Sequence, residues 1–200
     1  MAIFDHIAVS AASLDEGAAH VAAALGQDIG PGGSHARMGT HNRLSGLSNG
    51  EYLEVIAIDA AAPAPAVPRW FDLDRRAGPP RLSNWIARVD DLDAAVAAHP
   101  EAGRILALER GAYRWRMAVP EDGVLPFDGC FPALIQWDSA PPSFPDAGLS
   151  LTGLTLTHPD AEALRRTLAD LIDDRRITVD PGPPALTARI ETPGGPRRLA

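Results

Sequence analysis

Glu54 lies inside the apolar segment YLEVIAID, where its neighbours would take a carboxylate partly out of water. A carboxylate in such a place needs a compensating partner. Two of the histidines that precede it are His6 in DHIAV and His41 in GTHNRL. Imidazole and carboxylate together suit Zn²⁺, Fe²⁺, Mn²⁺ or Ni²⁺, and three protein ligands leave positions open for water or a chelating substrate. These residue types predict a metal site or a site for a polar ligand.

Strand periodicity supports a shared face for these groups. Alternation places His6 on the same side of its strand as Ala8, and Glu54 on the same side as Tyr52. A purely structural alternative stays open at this point. In that alternative His6 bonds to backbone at a strand end, and Glu54 pairs with Arg43 across a hairpin.

The elements that must position these groups form an internal repeat. Residues 1–60 are predicted to be strand, helix and then two or three strands. Ser13 is a helix cap, Gly26 is a stop, and the Asn-Gly of SNG (48–50) is a hairpin turn. A Pro-rich connector follows at 61–80, in which Trp70 and Phe71 are predicted to be buried, and which could fold over a cleft as a lid.

The pattern then recurs twice. Residues 81–140 again predict a strand, a capped Ala/Val-rich helix and three further strands. Residues 149–195 predict strand, helix and two strands, with Ala161, Leu164, Leu168, Leu171 and Ile172 forming the buried helix face. The predicted fold class is therefore α+β, with tandem β-α-β-β-β modules forming curved mixed sheets around a cleft and a third partial module.

Composition excludes several classes of protein. The net charge is −8 and the pI is near 5.1, which argues against nucleic acid or an anionic membrane as a partner. No apolar run is long enough to cross a bilayer, and the N-terminus lacks the features of a signal peptide. The single cysteine, Cys130, excludes an internal disulfide and predicts an inert thiol in a cytoplasmic protein.

The repeat resembles the vicinal oxygen chelate superfamily, which includes glyoxalase I, extradiol dioxygenases and bleomycin-resistance proteins. The resemblance is carried by DHIAVSAASLDEGAAHVAAALG, GGSHARMGTHNRLSGLSNGEYLEVIAIDAAAPAP, PRWFDLD and FPALIQWD, which together cover most of the first 140 residues. Within the superfamily the sequence is most similar to the glyoxalase-like branch of bacterial proteins. The resemblance implies a scaffold and leaves the reaction open.

The resemblance also implies roles for particular residues. A histidine on the first strand of a module and a glutamate on its last strand are metal ligands in the family, and His6 and Glu54 match them. His41 is the predicted third ligand, with His35 in reserve. Glu54 would double as a general base if substrate displaced it from the metal.

The second module departs from the family pattern. Trp85 stands where a histidine is expected, and ALIQWD carries Gln136 without a carboxylate. A four-ligand site built from both modules is therefore not expected. Asn42, Trp85, Trp115 and Gln136 are predicted instead to line a substrate pocket.

Two functions follow from these expectations. The first is a metal-dependent lyase, isomerase or dioxygenase acting on a small substrate with adjacent oxygens. The alternative is a metal-free protein of the bleomycin-resistance type that binds or sequesters a small molecule. A small-molecule ligand is expected in both cases, and family members commonly form homodimers.

Overall fold

A computed structural model describes all 200 residues. The first module consists of strands β1 (Ile3–Ser10), β2 (Ser34–His35), β3 (Thr40–Gly46) and β4 (Tyr52–Ile58), with helix α1 (Leu14–Leu25). The second consists of β5 (Arg81–Arg88), β6 (Arg104–Arg110), β7 (Tyr113–Val119) and β8 (Ala133–Trp137), with α2 (Leu92–Ala98). The third segment consists of β9 (Ser150–His158), β10 (Ile177–Pro181), β11 (Ala185–Thr192) and β12 (Gly195–Leu199), with α3 (Ala161–Leu171).

The first two modules share one curved sheet of eight strands. Its strand order is β2-β3-β4-β1-β5-β8-β7-β6, so the module halves meet where β1 pairs antiparallel with β5. Within each half the first strand pairs parallel with the last, β1 with β4 and β5 with β8. The two edges approach each other, since Arg37 Nη1 donates to the carbonyl of Ala107 on β6 at 2.6 Å. The sheet thus curves nearly into a barrel, which confirms the predicted α+β fold class.

Local signals in the sequence explain the boundaries of α1 and the β3–β4 hairpin. The Ser13 side chain accepts the backbone N–H of Glu16, and Gly26 ends the helix in the left-handed conformation at φ 71°. Asn49 and Gly50 adopt φ values of 64° and 75° between β3 and β4. The predicted cap, stop and Asn-Gly turn are therefore confirmed.

The third segment has a complete strand-helix-strand-strand-strand order, because residues beyond the predicted limit at 195 form β12. Its strand order differs from that of the other two, however. The four strands run β10-β9-β11-β12, and β9 pairs parallel with the strand directly after its helix. All five residues predicted for the buried face of α3 are buried. The segment therefore forms a separate sheet that packs on the helix side of the first.

Two apolar clusters lie on opposite faces of the curved sheet. The larger one joins the helix side of that sheet to the third segment and includes Trp85 and Phe131. The smaller one fills the concave side, where Trp70, Phe71 and Leu73 of the connector pack against strands of both modules. The predicted burial of Trp70 and Phe71 is confirmed, and the connector covers the cleft.

None of the α-helices is both long and apolar enough to cross a membrane.

Candidate functional site

His6 and Glu54 meet on the concave face of the sheet. The parallel register of β1 and β4 sets His6 beside Tyr52 and Ala8 beside Glu54, so the two polar residues are diagonal neighbours on one face. His6 Nε2 lies 3.5 Å from Glu54 Oε2, and both residues are buried. The methyl side chain of Ala8 leaves room for the carboxylate. The predicted structural pairing of Glu54 with Arg43 is not present, since Arg43 pairs with Asp15 at 2.7 Å.

Asp5 holds the other nitrogen of the His6 ring. A β-bulge between Phe4 and His6 interrupts the alternation of β1 and lets two consecutive side chains meet. Asp5 Oδ1 lies 2.6 Å from His6 Nδ1, and Asp5 Oδ2 accepts a hydrogen bond from Trp137 Nε1 at 3.1 Å. The imidazole ring is thereby fixed between two carboxylates.

The charges of this group stabilise one another. Burial opposes the charge on His6, but the hydrogen bond with Asp5 and the charges of Asp5 and Glu54 outweigh it and raise the pKa of His6. Burial likewise opposes ionisation of the two acids, and their contacts with His6 outweigh it, so the pKa values of Asp5 and Glu54 are lowered. These shifts favour an imidazolium between two carboxylates in this buried group. Tyr52 stacks on the His6 ring at a centroid distance of 4.1 Å.

Asn42 orients the second oxygen of Glu54. Its Nδ2 donates to Glu54 Oε1 at 2.7 Å. Its Oδ1 accepts from the backbone N–H of Gly33 and from Arg110 Nη1, both at 2.9 Å. These two donors fix the amide with its NH₂ group towards Glu54. Asn42 therefore lines the cavity and acts there as a donor to Glu54.

His35 is the last member of a polar group at the base of the cavity, which we call the floor and which also includes His6, Asn42 and Glu54. Its ring is neutral. Its Nε2 lies 3.3 Å from Asn42 Nδ2 and 3.4 Å from Arg110 Nη1, so Nε2 is an acceptor and Nδ1 carries the proton. Nδ1 then donates to Thr40 Oγ1 at 3.0 Å. Burial lowers the pKa of His35 to about 4.

The remaining predicted residues separate into two groups. Trp115 lines the cavity. Trp85 lies in the helix-side core, where its Nε1 donates to the Cys130 carbonyl at 2.8 Å, and Gln136 accepts from the backbone N–H of Leu92 at 2.9 Å. His41 alternates with Asn42 along β3 and occupies the face opposite Glu54. The structure therefore brings His6, Glu54, Asn42 and Trp115 together and leaves Trp85, Gln136 and His41 outside.

Three functional neighbours were not predicted: Asp5, Arg110 and the aromatic Trp137. Alternation in RILALERG does carry a signal for Arg110, because Leu106 and Leu108 point inward and Arg110 shares their face. Asp5 had no such signal, since only the bulge turns its side chain towards His6.

The cavity above this floor is small and has aromatic walls. Its volume is about 30 Å³, enough for one or two water molecules. The residues that line it are His6, His35, Asn42, Leu44, Tyr52, Glu54, Trp70, Phe71, Arg110, Trp115, Met117, Ile135 and Trp137. The polar members come from β1 to β4 and from the end of β6, and the second module otherwise contributes apolar and aromatic groups.

The side chains present offer two ligands for a metal ion. The 3.5 Å between His6 Nε2 and Glu54 Oε2 is close to the roughly 3.4 Å that separates two donors about 2.1 Å from a tetrahedral ion. No cluster of three or more His, Cys, Asp or Glu side chains is arranged to hold a metal. Asn42 presents a donor, and His41 faces away. The residues thus fit an ion that takes its other ligands from water or substrate, and they do not form a site held by three protein side chains.

Solved structures similar to this chain include three proteins. A hypothetical protein from Staphylococcus aureus is similar over 100% of this chain and 99% of its own, with 14% identity and a TM-score of 0.62. A methylmalonyl-CoA epimerase from Streptomyces coelicolor is similar over 68% of this chain and 97% of its own, at 18% identity and a TM-score of 0.44. The enzyme of that name from Mycobacterium tuberculosis covers 69% and 88%, at 20% identity and 0.44. These likenesses concern the fold alone.

Sequence comparison identifies the family. No curated protein matches the chain. The family model described as a glyoxalase-like domain matches residues 4–172, which include nearly all of both modules of the curved sheet, strand β9 and the whole of α3. The chain therefore belongs to the glyoxalase-like domain family, within the vicinal oxygen chelate superfamily.

Proposed function

We propose that the protein binds a small molecule with adjacent oxygen atoms in the concave cavity, and that His6 Nε2 and Glu54 Oε2 contact those oxygens. The proposal rests on the difference between the contacts of the two ring nitrogens of His6. Its Nδ1 contact with Asp5 is 2.6 Å, whereas its Nε2 contact with Glu54 is 3.5 Å, beyond the usual hydrogen-bond range. Asp5 therefore fixes the ring through Nδ1, and Nε2 remains able to form a hydrogen bond with a ligand.

The pair has the protonation states that acid–base chemistry needs. The raised pKa of His6 favours its protonated form, whose Nε2–H can donate to a carbonyl or enolate oxygen. Glu54 is ionised and can accept a proton from a carbon or oxygen next to that carbonyl. The low-dielectric surroundings strengthen both contacts. The same two atoms would also serve a protein that binds its ligand and catalyses nothing, so binding is the shared first step.

The aromatic walls restrict the ligand's shape. Trp70 and Phe71 of the connector and Trp115 of β7 close the cavity, leaving room for only one or two waters. The buried Trp70 Nε1 has no hydrogen-bond partner. A ligand larger than a few atoms therefore enters by displacing connector side chains, and Trp70 Nε1 is a free donor for it.

A divalent metal is the second candidate, favoured by the spacing of the His6 and Glu54 donors. His6 and Glu54 would hold the ion, and Asp5 would orient the His6 ring as an outer partner. A metal there would supply polarisation of a bound carbonyl. This candidate corresponds to the metal site predicted from the sequence, without His41 as a ligand.

Ligand-induced stabilisation tests the proposal. Wild-type protein, Glu54→Gln and the control Glu191→Gln, an exposed residue of β11, would be heated with pyruvate, glycolaldehyde, catechol and diacetyl. A ligand at tenfold its Kd stabilises by about 1.4 kcal/mol, or roughly 3–5 °C for a chain of this length. We expect at least one compound to raise the Tm of wild type and of the control, and not of Glu54→Gln. The proposal fails if no compound acts, or if folded Glu54→Gln responds like wild type.

Elemental analysis of the same samples separates the two candidates. Near one equivalent of a transition metal in wild type, lost in Glu54→Gln, would select the metal-dependent candidate. Ligand stabilisation that survives prior treatment with a chelator would select binding through the side chains alone.

A further inference from the structure

A second and much larger cavity lies beside the first. It is a groove of about 590 Å³ between β5, the turn Phe127–Gly129, and strands β11 and β12 of the third segment. We call it the outer groove. Its volume falls in the range of ordinary small-molecule sites, whereas the inner cavity holds only one or two waters. The outer groove can therefore accommodate the bulk of a ligand.

Asn84 supplies a buried donor to this groove. The residue is 3% exposed, and its Oδ1 accepts from Ser83 Oγ at 2.8 Å. Its NH₂ group has no partner within the chain and lines the groove. Gly129 keeps the space in front of it open, because a Cβ there would lie 3.6 Å from Nδ2 and 2.9 Å from the Ser83 carbonyl. The amide nitrogen is open to the groove and can donate a hydrogen bond to a ligand there.

The charges around the groove favour an anion. Arg81 and Arg198 line it, and neither forms an ion pair, although the chain has a net charge of −8. The two side-chain carboxylates of the groove are already engaged. Asp72 pairs with Arg75 at 2.6 Å, and Asp128 contacts His158 at 3.3 Å. The terminal Ala200 also lines the groove, and its main-chain oxygen lies 3.1 Å from His20 Nε2. Two unpaired guanidinium groups and one amide donor thus remain for a ligand, and guanidinium binds carboxylate and phosphate well.

Phe71 separates the two cavities, since its side chain lines both. Phe71 and Asp72 adopt left-handed φ values of 59° and 54°, and Phe127 and Asp128 across the groove adopt 54° and 53°. Such conformations are rare for residues other than glycine and concentrate at ligand sites and moving segments. The backbone of the segment that separates the two cavities is therefore strained at Phe71 and Asp72.

We infer that the outer groove anchors the carboxylate or phosphate end of an elongated ligand. The other, oxygen-bearing end would pass Phe71 to reach His6 and Glu54. The orientation of the ligand rests on the proposed function, whereas anion binding in the groove stands on Asn84, Arg81 and Arg198 alone.

Nuclear magnetic resonance of ¹⁵N-labelled protein tests the anchor, with diphosphate and glutarate as the probes. The groove variant is Arg81→Gln with Arg198→Gln. The matched control is Arg104→Gln with Arg197→Gln, which removes the same charge from exposed arginines that do not line the groove. We expect saturable shifts of the Asn84 NH₂ signals in wild type, at least about tenfold weaker binding in the groove variant, and unchanged binding in the control.

Two results would overturn the inference. One is the absence of saturable shifts below about 1 mM, the upper end of ordinary substrate affinities. The other is equal weakening in the groove variant and the control, which would indicate diffuse attraction by net charge. Glu54→Gln should bind both probes as wild type does. Failure of the proposed function would appear separately, as His6 ring signals that no oxygen-bearing compound shifts.

Discussion

His35 should make the protein lose stability as the pH falls from neutral to mildly acidic values. The buried ring donates to Thr40 and accepts from Asn42, which requires the neutral form. Burial lowers the pKa of His35 from 6.5 to about 4, and the nearby Arg110 acts in the same direction. A proton on Nε2 would face two donors inside the floor of the cavity.

The pKa difference fixes both the sign and the size of the effect. Because the folded-state pKa lies below the unfolded one, the unfolded chain takes up the proton first as the pH falls. The contribution of His35 is therefore complete above pH 6.5 and declines towards pH 4. The contribution of His35 to the free energy of unfolding should decrease by about 2.5 kcal/mol between about pH 7.5 and 4.5.

The other members of the cluster act outside this window or in the opposite direction. The pKa of His6 is raised, so its contribution is complete below its unfolded value and is lost as the pH rises through the folded one. The pKa values of Asp5 and Glu54 are lowered, so their contributions are present above their unfolded values of 3.8 and 4.5 and are lost at lower pH. The decline down to pH 4.5 is therefore assigned to His35.

Urea unfolding followed by circular dichroism at the two pH values measures the decline. His35→Asn keeps a donor for Thr40 and removes the titrating group, so its stability should fall by about 2.5 kcal/mol less than that of wild type. His41→Asn removes a histidine from the opposite face of β3 and should retain the wild-type decline. If His35→Asn loses as much stability on acidification as wild type, the assignment is wrong.

Three further predictions concern stability and the charges of the site. Glu54→Gln should lower the free energy of unfolding by about 2–4 kcal/mol, measured by urea unfolding. It should also lower the pKa of His6, measured from the ring signals by NMR, and an unchanged pKa would contradict the pairing of the two charges. Gly17→Ala should destabilise by about 1–3 kcal/mol despite its better helix propensity, because the new Cβ would meet β4 too closely; a more stable variant in urea would contradict this packing. Trp137→Phe removes the indole donor to Asp5 at 3.1 Å and should cost about 1 kcal/mol, with no loss expected if that bond is absent.

The repeat made the fold predictable from the sequence. Each module can be recognised in the sequence by an alternating strand, a capped helix and further strands. The Asn-Gly turn determines the position of the β3–β4 hairpin. Strand alternation placed His6 and Glu54 each on one face of its strand, and the family resemblance implied that the two faces meet. Their contact at 3.5 Å follows from the parallel pairing of β1 with β4, which is a property of the module and not of either strand.

What the sequence could not reveal depends on register and on bulges. His41 and Asn42 are adjacent, and only the register of β3 decides which of them faces Glu54. Asp5 reaches His6 through a bulge that no pattern in the sequence marks. The strand order of the third segment is set by long-range packing, so its element order alone suggested a copy of the first two modules.

The two modules contribute unequally to the cavity, and this inequality constrains any ligand. In the register of β1 with β5, His6 lies opposite Ile86, and β8 contributes Ile135 and Trp137. Apart from Arg110 at the end of β6, the second module therefore presents apolar side chains where the first presents polar ones. A ligand that bridges them satisfies its oxygen atoms mainly on the side of the first module and buries apolar surface on the other. A chelate held symmetrically by both modules has no counterpart in this arrangement, so polar recognition of the reactive end depends on β1, β4 and the side chains that orient them.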